Sequence, residues 1–306
     1  MIKKKFKSKR TQDLIFCLLV LLIPMIQFAI FYVGVNLNSF AMIFQRYEVD
    51  AAGRGHYVLV DSFFENFRKL AFQLRMEQVL EPAIINSLIS FVAITLVGIT
   101  LSLIFSLYIF KKLPGAGAFK VLLFAPSILS AVVTVTMYRS FVDIVIPKVF
   151  DMGGGEMGLL SNPNTKLGTI IFYNIWIGFG TQILMYSGAM SGIDPSIMEA
   201  AELDGANPWI EFFRIILPLI FPSIQTFLVT GVAAIFTNQI NLVAFGGLEV
   251  NVKYNTIGYF LFRKANAPTQ YEYPVWATMG AVLTLIAAPL TLLVRWALDK
   301  YGPSVE

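Results

Sequence analysis

The sequence has very few of the residues from which enzymes build metal sites and nucleophilic pairs. Its 306 residues include one cysteine, Cys17, and one histidine, His56. A zinc site needs several such ligands and a cysteine nucleophile needs a histidine beside it, so neither can be assembled. The sequence also lacks G-x-x-x-x-G-K-[ST], the loop that cradles nucleotide phosphates. We therefore predict a chain with no catalytic residue, no metal and no cofactor of its own.

Charged residues are scarce as well, at 14% of the chain against roughly 25% in an average soluble domain. Hydrophobic residues make up 57%, and the mean hydropathy is +0.70. This composition is typical of an integral membrane protein, and we predict an all-α fold with six runs able to cross about 30 Å of hydrocarbon as helix. The predicted spans are about 14–35, 84–110, 120–142, 167–190, 215–245 and 274–297.

The basic residues predict an orientation for these spans. Residues 1–13 form a basic tail with six Lys and Arg before residue 11, and the other loops on that side are short. The basic residues of the opposite side are spread over longer segments, so the positive-inside rule makes both termini cytoplasmic. The net charge of +4 then follows from this orientation and requires no nucleic-acid partner. The first span lacks a cleavage site and should stay attached.

We expect one transmembrane domain over residues 14–306, with an extracellular segment at 36–83 and a cytoplasmic loop at 191–214. In the extracellular segment, apolar residues at helical spacing predict a helix that lies in the membrane interface or packs on the outer ends of the spans. Its apolar positions are Phe64, Phe67, Ala71 and Leu74, with Asp61 and Ser62 as cap candidates.

The loop at 191–214, which we call the elbow, has the signals of two short helices joined by a turn. Asp194 is an N-cap candidate, and Pro195 follows it at the first helical position. Gly205 can end that helix in the left-handed conformation, and Asn207 with Pro208 can start a second one. Carboxylates beside small apolar residues on the first helix suit docking into a groove on a partner. The paired positions are Glu199 with Glu202, and Met198 with Ala201.

Two predicted spans have polar residues along one helix face, which is costly in lipid unless that face borders a cavity or another helix. Amides beside glycines and near aromatic rings suit an uncharged, polyhydroxylated ligand such as a sugar. The same residue types also hold membrane helices together, so both interpretations stay open. The candidates are Asn174, Gly178, Thr181 and Gln182 in the fourth span, Gly231, Asn238 and Asn241 in the fifth, and the aromatic residues Tyr173 and Trp176.

One charged pair lies inside a span. Arg139 and Asp143, near the outer end of the third span, are four residues apart and can pair on one helix face. We favour a structural role for them over gating. The spans otherwise have almost no charged residues away from their ends, which disfavours a proton relay or a charged substrate.

The elbow resembles a known signature, the EAA---G---------I-LP motif of ABC-importer permeases. The stretch "IDPSIMEAAELDGANPWIEFFRIILPLIFP" is similar to the carbohydrate, maltose permease-like branch of that family, and the six-span plan extends the resemblance over about 10–300. It is weaker over 36–83. The matching positions are Glu199, Ala200, Ala201, Gly205, Ile215, Leu217 and Pro218.

The resemblance implies the type I ABC importer fold, in which the elbow is the coupling helix that inserts into a cleft of an ATP-binding subunit. Glu199 would be the central polar contact and Gly205 the turn that sets the helix angle. The residues expected to couple the chain to that subunit are Met198, Glu199, Ala200, Ala201, Asp204 and Gly205.

The resemblance also implies partners and a function. They are a second, related permease (a homodimer stays open), two subunits that bind ATP and Mg, and an extracellular solute-binding protein, in a bacterial or archaeal cell membrane. The chain would form half of a pathway for sugar or oligosaccharide uptake by alternating access. Another polar solute such as glycerol 3-phosphate is the main alternative. A secondary carrier would need an ion-coupling site and a membrane enzyme a catalytic pair, and neither is visible in the sequence.

Overall fold

The computed structural model describes residues 9–150, 158–266 and 269–303. Within these ranges the chain is mostly helical, as predicted, and its one sheet is a two-stranded hairpin that was not predicted. Four helices are long and apolar enough to cross a membrane, and the number rises to six if each of two bent helix pairs is one span. Residues 1–8 of the predicted basic tail lie outside the described residues.

The chain divides into two compact units. The first comprises residues 1–73 with 268–282, and the second comprises 74–267 with 283–306. The elements of the first unit are helix α1 (Lys9–Gln27, continuing through Phe28–Gly34 and Val35–Met42), strands β1 (Gln45–Val49) and β2 (Gly55–Leu59), and most of helix α2 (Glu65–Glu77).

The second unit is a bundle of longer helices and short connecting helices. Two of its helices, α6 and α12, run for 26 and 29 residues, and the first residues of α12 belong to the first unit. Its elements are α3 (Leu80–Phe110), α4 (Ala116–Ile128), α5 (Ala131–Val149), α6 (Lys166–Ser191), α7 (Pro195–Leu203), α8 (Pro208–Leu219), α9 (Phe221–Ala233), α10 (Leu242–Gly246), a turn at Val252–Tyr254, α11 (Ile257–Ala265) and α12 (Tyr273–Tyr301).

In the first unit, α2 is anchored to the start of the hairpin through a buried amide. The Asn66 side chain donates to the carbonyl oxygens of Ile43 (2.7 Å) and Gln45 (2.8 Å). The helix was predicted, and it buries Asn66 and Leu70, whereas Phe64, one of the predicted apolar positions, is 57% exposed and precedes the first residue of the helix. The amide holds the helix through hydrogen bonds that periodicity alone does not reveal, and a location of the apolar positions in the membrane interface stays a prediction.

Replacing Asn66 with leucine should destabilise the first unit. The variant keeps the side-chain size but leaves two carbonyl oxygens without their donor, which costs about 2–3 kcal/mol. Hydrogen exchange of the hairpin amides should therefore speed up. The control is Lys69→Met on the same helix, which removes only an exposed pair with Glu65 and should change the stability by at most about 1 kcal/mol. Equal protection in both variants would contradict the anchoring role.

In the second unit, α6 is the most enclosed candidate span, with 44% of its most apolar window buried against 22% for α3 and 11% for α12. Large side chains along its length, such as Tyr173, Ile183 and Tyr186, are almost fully buried. A helix that is surrounded in this way belongs to the interior of a bundle. Polar groups on its surface therefore face protein or a cavity more often than lipid.

Two predicted spans are bent. The third is divided between α4 and α5, which meet at 108° where Leu129 adopts an extended backbone. The fifth is divided between α8 and α9, which meet at 65° beside Pro222. Proline has no N–H to continue the helical hydrogen bonds, which accounts for the second bend. A run of apolar residues predicts that a segment lies in the membrane but does not predict whether its helix is straight, so neither bend was predicted.

The predicted helix at 215–245 is wrong beyond Ala233, where α9 ends and residues 234–241 form turns. Ile240 and Asn241 have positive φ angles of 44° and 58°. The Asn238 carboxamide oxygen accepts from the Ile240 backbone N–H at 2.8 Å, a local bond that competes with helix. Gly231, Asn238 and Asn241 therefore do not form the predicted helical stripe.

The predicted pairing of Arg139 with Asp143 is also wrong. Arg139 donates to the Phe245 carbonyl oxygen at 3.1 Å. Asp143 accepts from the Leu160 backbone N–H at 2.8 Å and from the Ser161 hydroxyl at 3.3 Å. Arg139 satisfies a carbonyl oxygen near the end of α10, and Asp143 satisfies groups of the turns before α6, since helix ends and turns leave backbone groups that need partners.

Candidate functional site

A cavity of about 210 Å³ lies in the second unit between α3, α6 and α9. The described residues that line it have hydroxyl, amide and apolar side chains, and none of them is ionisable. They are Ser87, Ser90, Phe91, Ile94, Thr95 and Ile99 of α3, Gln182 of α6, Phe227, Thr230 and Gly231 of α9, Ala234, Ile235, Asn238 and Ile240 of the turns that follow, and Thr256.

Three of the predicted pathway residues meet at this cavity: Gln182, Gly231 and Asn238. The Gln182 carboxamide oxygen accepts a 2.8 Å hydrogen bond from the Ser102 hydroxyl, which fixes its orientation. Its amide then comes close to Gly98, where an added Cβ would lie 3.6 Å from the Gln182 oxygen. A methyl group at Gly98 would therefore make ordinary van der Waals contact with Gln182.

Ser90 is a cavity residue that the sequence pattern did not reveal. It is 2% exposed, and its hydroxyl has no hydrogen-bond partner among the described residues. A buried hydroxyl without a partner is costly unless water or a ligand satisfies it. Ser87 and Ser90, which both line the cavity, are three residues apart on α3, and this spacing in an apolar span is the signal that could have identified the face.

Two other predicted pathway residues form a structural pair instead. The Asn174 carboxamide oxygen accepts from the Asn241 side-chain amide at 2.8 Å. The Asn174 amide donates to the carbonyl oxygens of Ile170 (2.8 Å) and Ile240 (2.9 Å). These bonds hold the turns after α9 against α6, as expected of amides that join helices.

The remaining predicted pathway residues do not line the cavity. Tyr173 is 1% exposed, and its hydroxyl lies 2.7 Å from that of Thr134 inside an apolar cluster. Trp176 packs against the same cluster. Thr181 is exposed, and the space around Gly178 is open. The two aromatic rings therefore stabilise the bundle and do not face the cavity.

The elbow has the predicted turn geometry. The Asp194 carboxylate accepts from the Ser196 backbone N–H at 2.9 Å, and the Asn207 carboxamide oxygen accepts from the Ile210 N–H at 2.9 Å, so both N-caps are confirmed. Gly205 has a φ angle of +75°. The N–H groups that follow α7 bond back to its last carbonyls, from Ala206 to Ala201 and from Gly205 to Glu202, which is a Schellman motif.

The elbow exposes its carboxylates but not the apolar patch that was predicted. Glu199 is exposed, whereas Ala201 is 7% exposed and Met198 packs against the chain's own apolar cluster. The prediction that Ala201 belongs to an exposed patch is therefore wrong, whereas Met198 is half-buried and lines a surface pocket with Glu199 and Glu202. Large apolar side chains are instead exposed at Leu203 (89%) and Trp209 (73%). A partner would meet these together with Glu199, Ala200, Asp204 and Gly205.

Comparisons with known proteins identify relatives of the chain, although no family model matches it. It is 29% identical over 208 residues to the probable ABC transporter permease protein YesP of Bacillus subtilis, an alignment that covers 65% of this chain and 67% of that protein. It is 24% identical to the multiple sugar-binding transport system permease protein MsmF of Streptococcus mutans, with coverages of 66% and 70%. The chain is a homologue of sugar ABC transporter permeases.

Other permease homologues match over a shorter stretch. Identity to the maltose/maltodextrin transport system permease protein MalF of Salmonella typhimurium is 26% over 143 residues, which covers 45% of this chain and 28% of MalF.

A chain from the crystal structure of a bacterial alginate ABC transporter, in complex with an alginate pentasaccharide-bound periplasmic protein, superposes with a TM-score of 0.75 at 20% identity. That match covers 97% of this chain and 99% of the other, so the two chains share a fold.

The N-cap of α7 makes this permease homologue's elbow sensitive to acid. The backbone N–H of Ser196 stabilises the charged form of Asp194 and lowers its pKa below the usual value. A lowered pKa contributes stability that is complete above the unfolded-state value of about 3.9 and is lost as the pH falls through the folded-state value. The protection factors of the α7 amides, which correct the exchange rate for its intrinsic dependence on pH, should therefore fall below about pH 4.

The matched variants for this prediction are Asp194→Asn and Asp194→Ala. Asparagine caps a helix without titrating, so protection in that variant should not depend on pH in this range. Alanine cannot cap, so protection should be low at every pH. A loss below pH 4 that persists in Asp194→Asn would assign the effect to another group.

Proposed function

We propose that this chain is a permease subunit of an ATP-driven importer and forms half of the membrane pathway for a neutral sugar or oligosaccharide. The cargo moves by alternating access. ATP and Mg are bound and hydrolysed on two separate subunits, and a second, related permease completes the pathway. A solute-binding protein delivers the cargo from outside. The chain lies in a bacterial or archaeal cell membrane with six spans and both termini in the cytoplasm.

The observation that carries this proposal is the elbow. It combines the signature spacing with a capped helix, a left-handed glycine and an exposed carboxylate at Glu199. In a type I importer this element docks into the ATP-binding subunit, and neither a secondary carrier nor a membrane enzyme has use for it. The homology to sugar transport permeases supports the same assignment.

The cavity supports a neutral cargo. Its described lining offers hydroxyls and amides, which can exchange hydrogen bonds with sugar hydroxyls, and offers no basic side chain for a phosphate. This composition disfavours glycerol 3-phosphate. The volume of the cavity, about 210 Å³, is smaller than the roughly 300–1,000 Å³ of typical ligand pockets. This is expected if the chain forms only part of the substrate site and a second permease forms the rest.

Affinity capture tests the proposal. The tagged chain is solubilised in a mild detergent, and the proteins that accompany it are identified by mass spectrometry. We expect a P-loop ATPase and a second permease in comparable amounts. A chain that purifies without any ATPase, and whose host membranes take up the solute without ATP, would contradict the assignment.

A further inference from the structure

An ion pair between a buried carboxylate and a partly exposed ammonium group joins the elbow to α3. Glu211, in the first turn of α8, is 4% exposed. Its carboxylate accepts from the ammonium group of Lys111, which directly follows the last residue of α3. The two residues are 100 positions apart in the sequence. This is the kind of charge that a protein buries only with a partner in place.

Apolar side chains of α3 and α8 also pack against each other. One cluster contains Ile99 and Leu103 of α3 and Phe212 and Ile216 of α8, and Met198 of α7 packs against it. Apolar contacts of this kind hold elements together without fixing their register, because the hydrophobic effect has no direction. The ion pair does fix it, since a shift that separates the charges leaves the Glu211 carboxylate buried without its partner.

The far part of α3 forms a wall of the cavity. Six of the cavity's lining residues belong to it, the last being Ile99. Lys111 lies 12 positions after Ile99, which corresponds to about 18 Å of helix. A displacement of the elbow that is transmitted to Lys111 therefore reaches the cavity through one helix.

We propose that the Lys111–Glu211 pair is a latch that makes the elbow and α3 move as one body, so that the partner's motion reaches the cavity wall as well as α8 and α9. The inference rests on the proposed function. Lys111 and Glu211 are positioning residues in it, because neither lines the cavity.

The test uses the complete transporter reconstituted in vesicles, with sugar uptake and ATP hydrolysis measured together. The single variants Lys111→Met and Glu211→Gln should still assemble with the ATPase but lower the uptake per ATP hydrolysed by about tenfold, a change equivalent to 1.4 kcal/mol. The exchange K111E/E211K should recover at least half of the normal ratio. The control Arg295→Met removes an exposed pair with Asp299 and should leave the ratio unchanged.

A normal ratio in both single variants, or an exchange variant no better than either single one, would overturn the latch. If the single variants fail to assemble, cysteines at both positions in a Cys17→Ser background replace the ion pair by a short, reducible thiol cross-link. Cross-linked transporter should be coupled and reduced transporter uncoupled, and equal ratios in the two states would refute the inference. Failure of the unaltered transporter to use ATP would instead refute the proposed function.

Discussion

Replacing Gly205 with valine should reduce the recovery of the ATP-binding subunit with this chain by tenfold or more. Gly205 has a φ of +75°, and a Cβ added there would have nothing within 4 Å, so the effect comes from the backbone and not from a clash. The left-handed conformation costs an L-residue about 1–2 kcal/mol, and 1.4 kcal/mol corresponds to tenfold in binding. Valine therefore shifts the turn that sets the angle between α7 and α8.

Two further variants separate the backbone effect from a general effect of valine. Gly205→Asn should recover most of the association, because asparagine tolerates the left-handed region. Gly117→Val, at an exposed glycine in the first turn of α4 that also has open space around it, should have no effect. Normal capture of the ATPase by Gly205→Val would show that the elbow angle does not govern the contact.

Glu199→Arg should lower the recovery of the ATPase even further. The carboxylate is exposed in this chain alone and would be desolvated in a partner's cleft. Reversing one charge of a buried, hydrogen-bonded pair costs at least about 2–5 kcal/mol, or more than about 30-fold in affinity. Glu249→Arg, at an exposed carboxylate outside the elbow, is the comparison, and an equal loss from both variants would indicate a general charge effect.

Filling the cavity should abolish transport without affecting assembly. In Gly231→Leu the added Cβ would lie 3.3 Å from the Phe91 ring and from the Thr95 hydroxyl, and the rest of the side chain would extend into the cavity. Overpacking of this kind costs about 1–3 kcal/mol of stability, which a folded bundle can tolerate. We expect sugar uptake to fall at least about tenfold while capture of the ATPase stays normal.

The control for this variant is Gly168→Leu, at an exposed glycine near the start of α6 with nothing within 4 Å of its Cβ. The same side chain is added there in open space, so uptake should be unchanged. Full uptake by Gly231→Leu would remove the cavity from the pathway. Loss of uptake together with loss of the ATPase would point to misfolding, and thermal denaturation of the purified variant separates these outcomes.

Local sequence rules were sufficient for the elbow. Asp194, Gly205 and Asn207 act on backbone groups within a few residues, so their capping and turn roles can be predicted from neighbouring residues alone. The long apolar helices were predicted for a similar reason, since hydropathy is a property of one segment.

Features that depend on distant residues were not predicted. Asn241 pairs with Asn174 across 67 positions, and Lys111 meets Glu211 across 100. Ser90 is a candidate ligand contact only because α6 and α9 leave a cavity beside its hydroxyl group. Tertiary structure therefore decides which polar residues line the cavity and which join helices. The residue types are the same in both roles, so the sequence does not distinguish them.

The most direct test of the proposed function is uptake of labelled sugar into vesicles that contain this chain, its second permease and the ATPase, with the binding protein outside and ATP inside. We expect uptake that requires both ATP and the binding protein and that is lost in Gly231→Leu. Uptake that continues without ATP, or that follows an imposed ion gradient, would contradict the assignment as an ATP-driven importer.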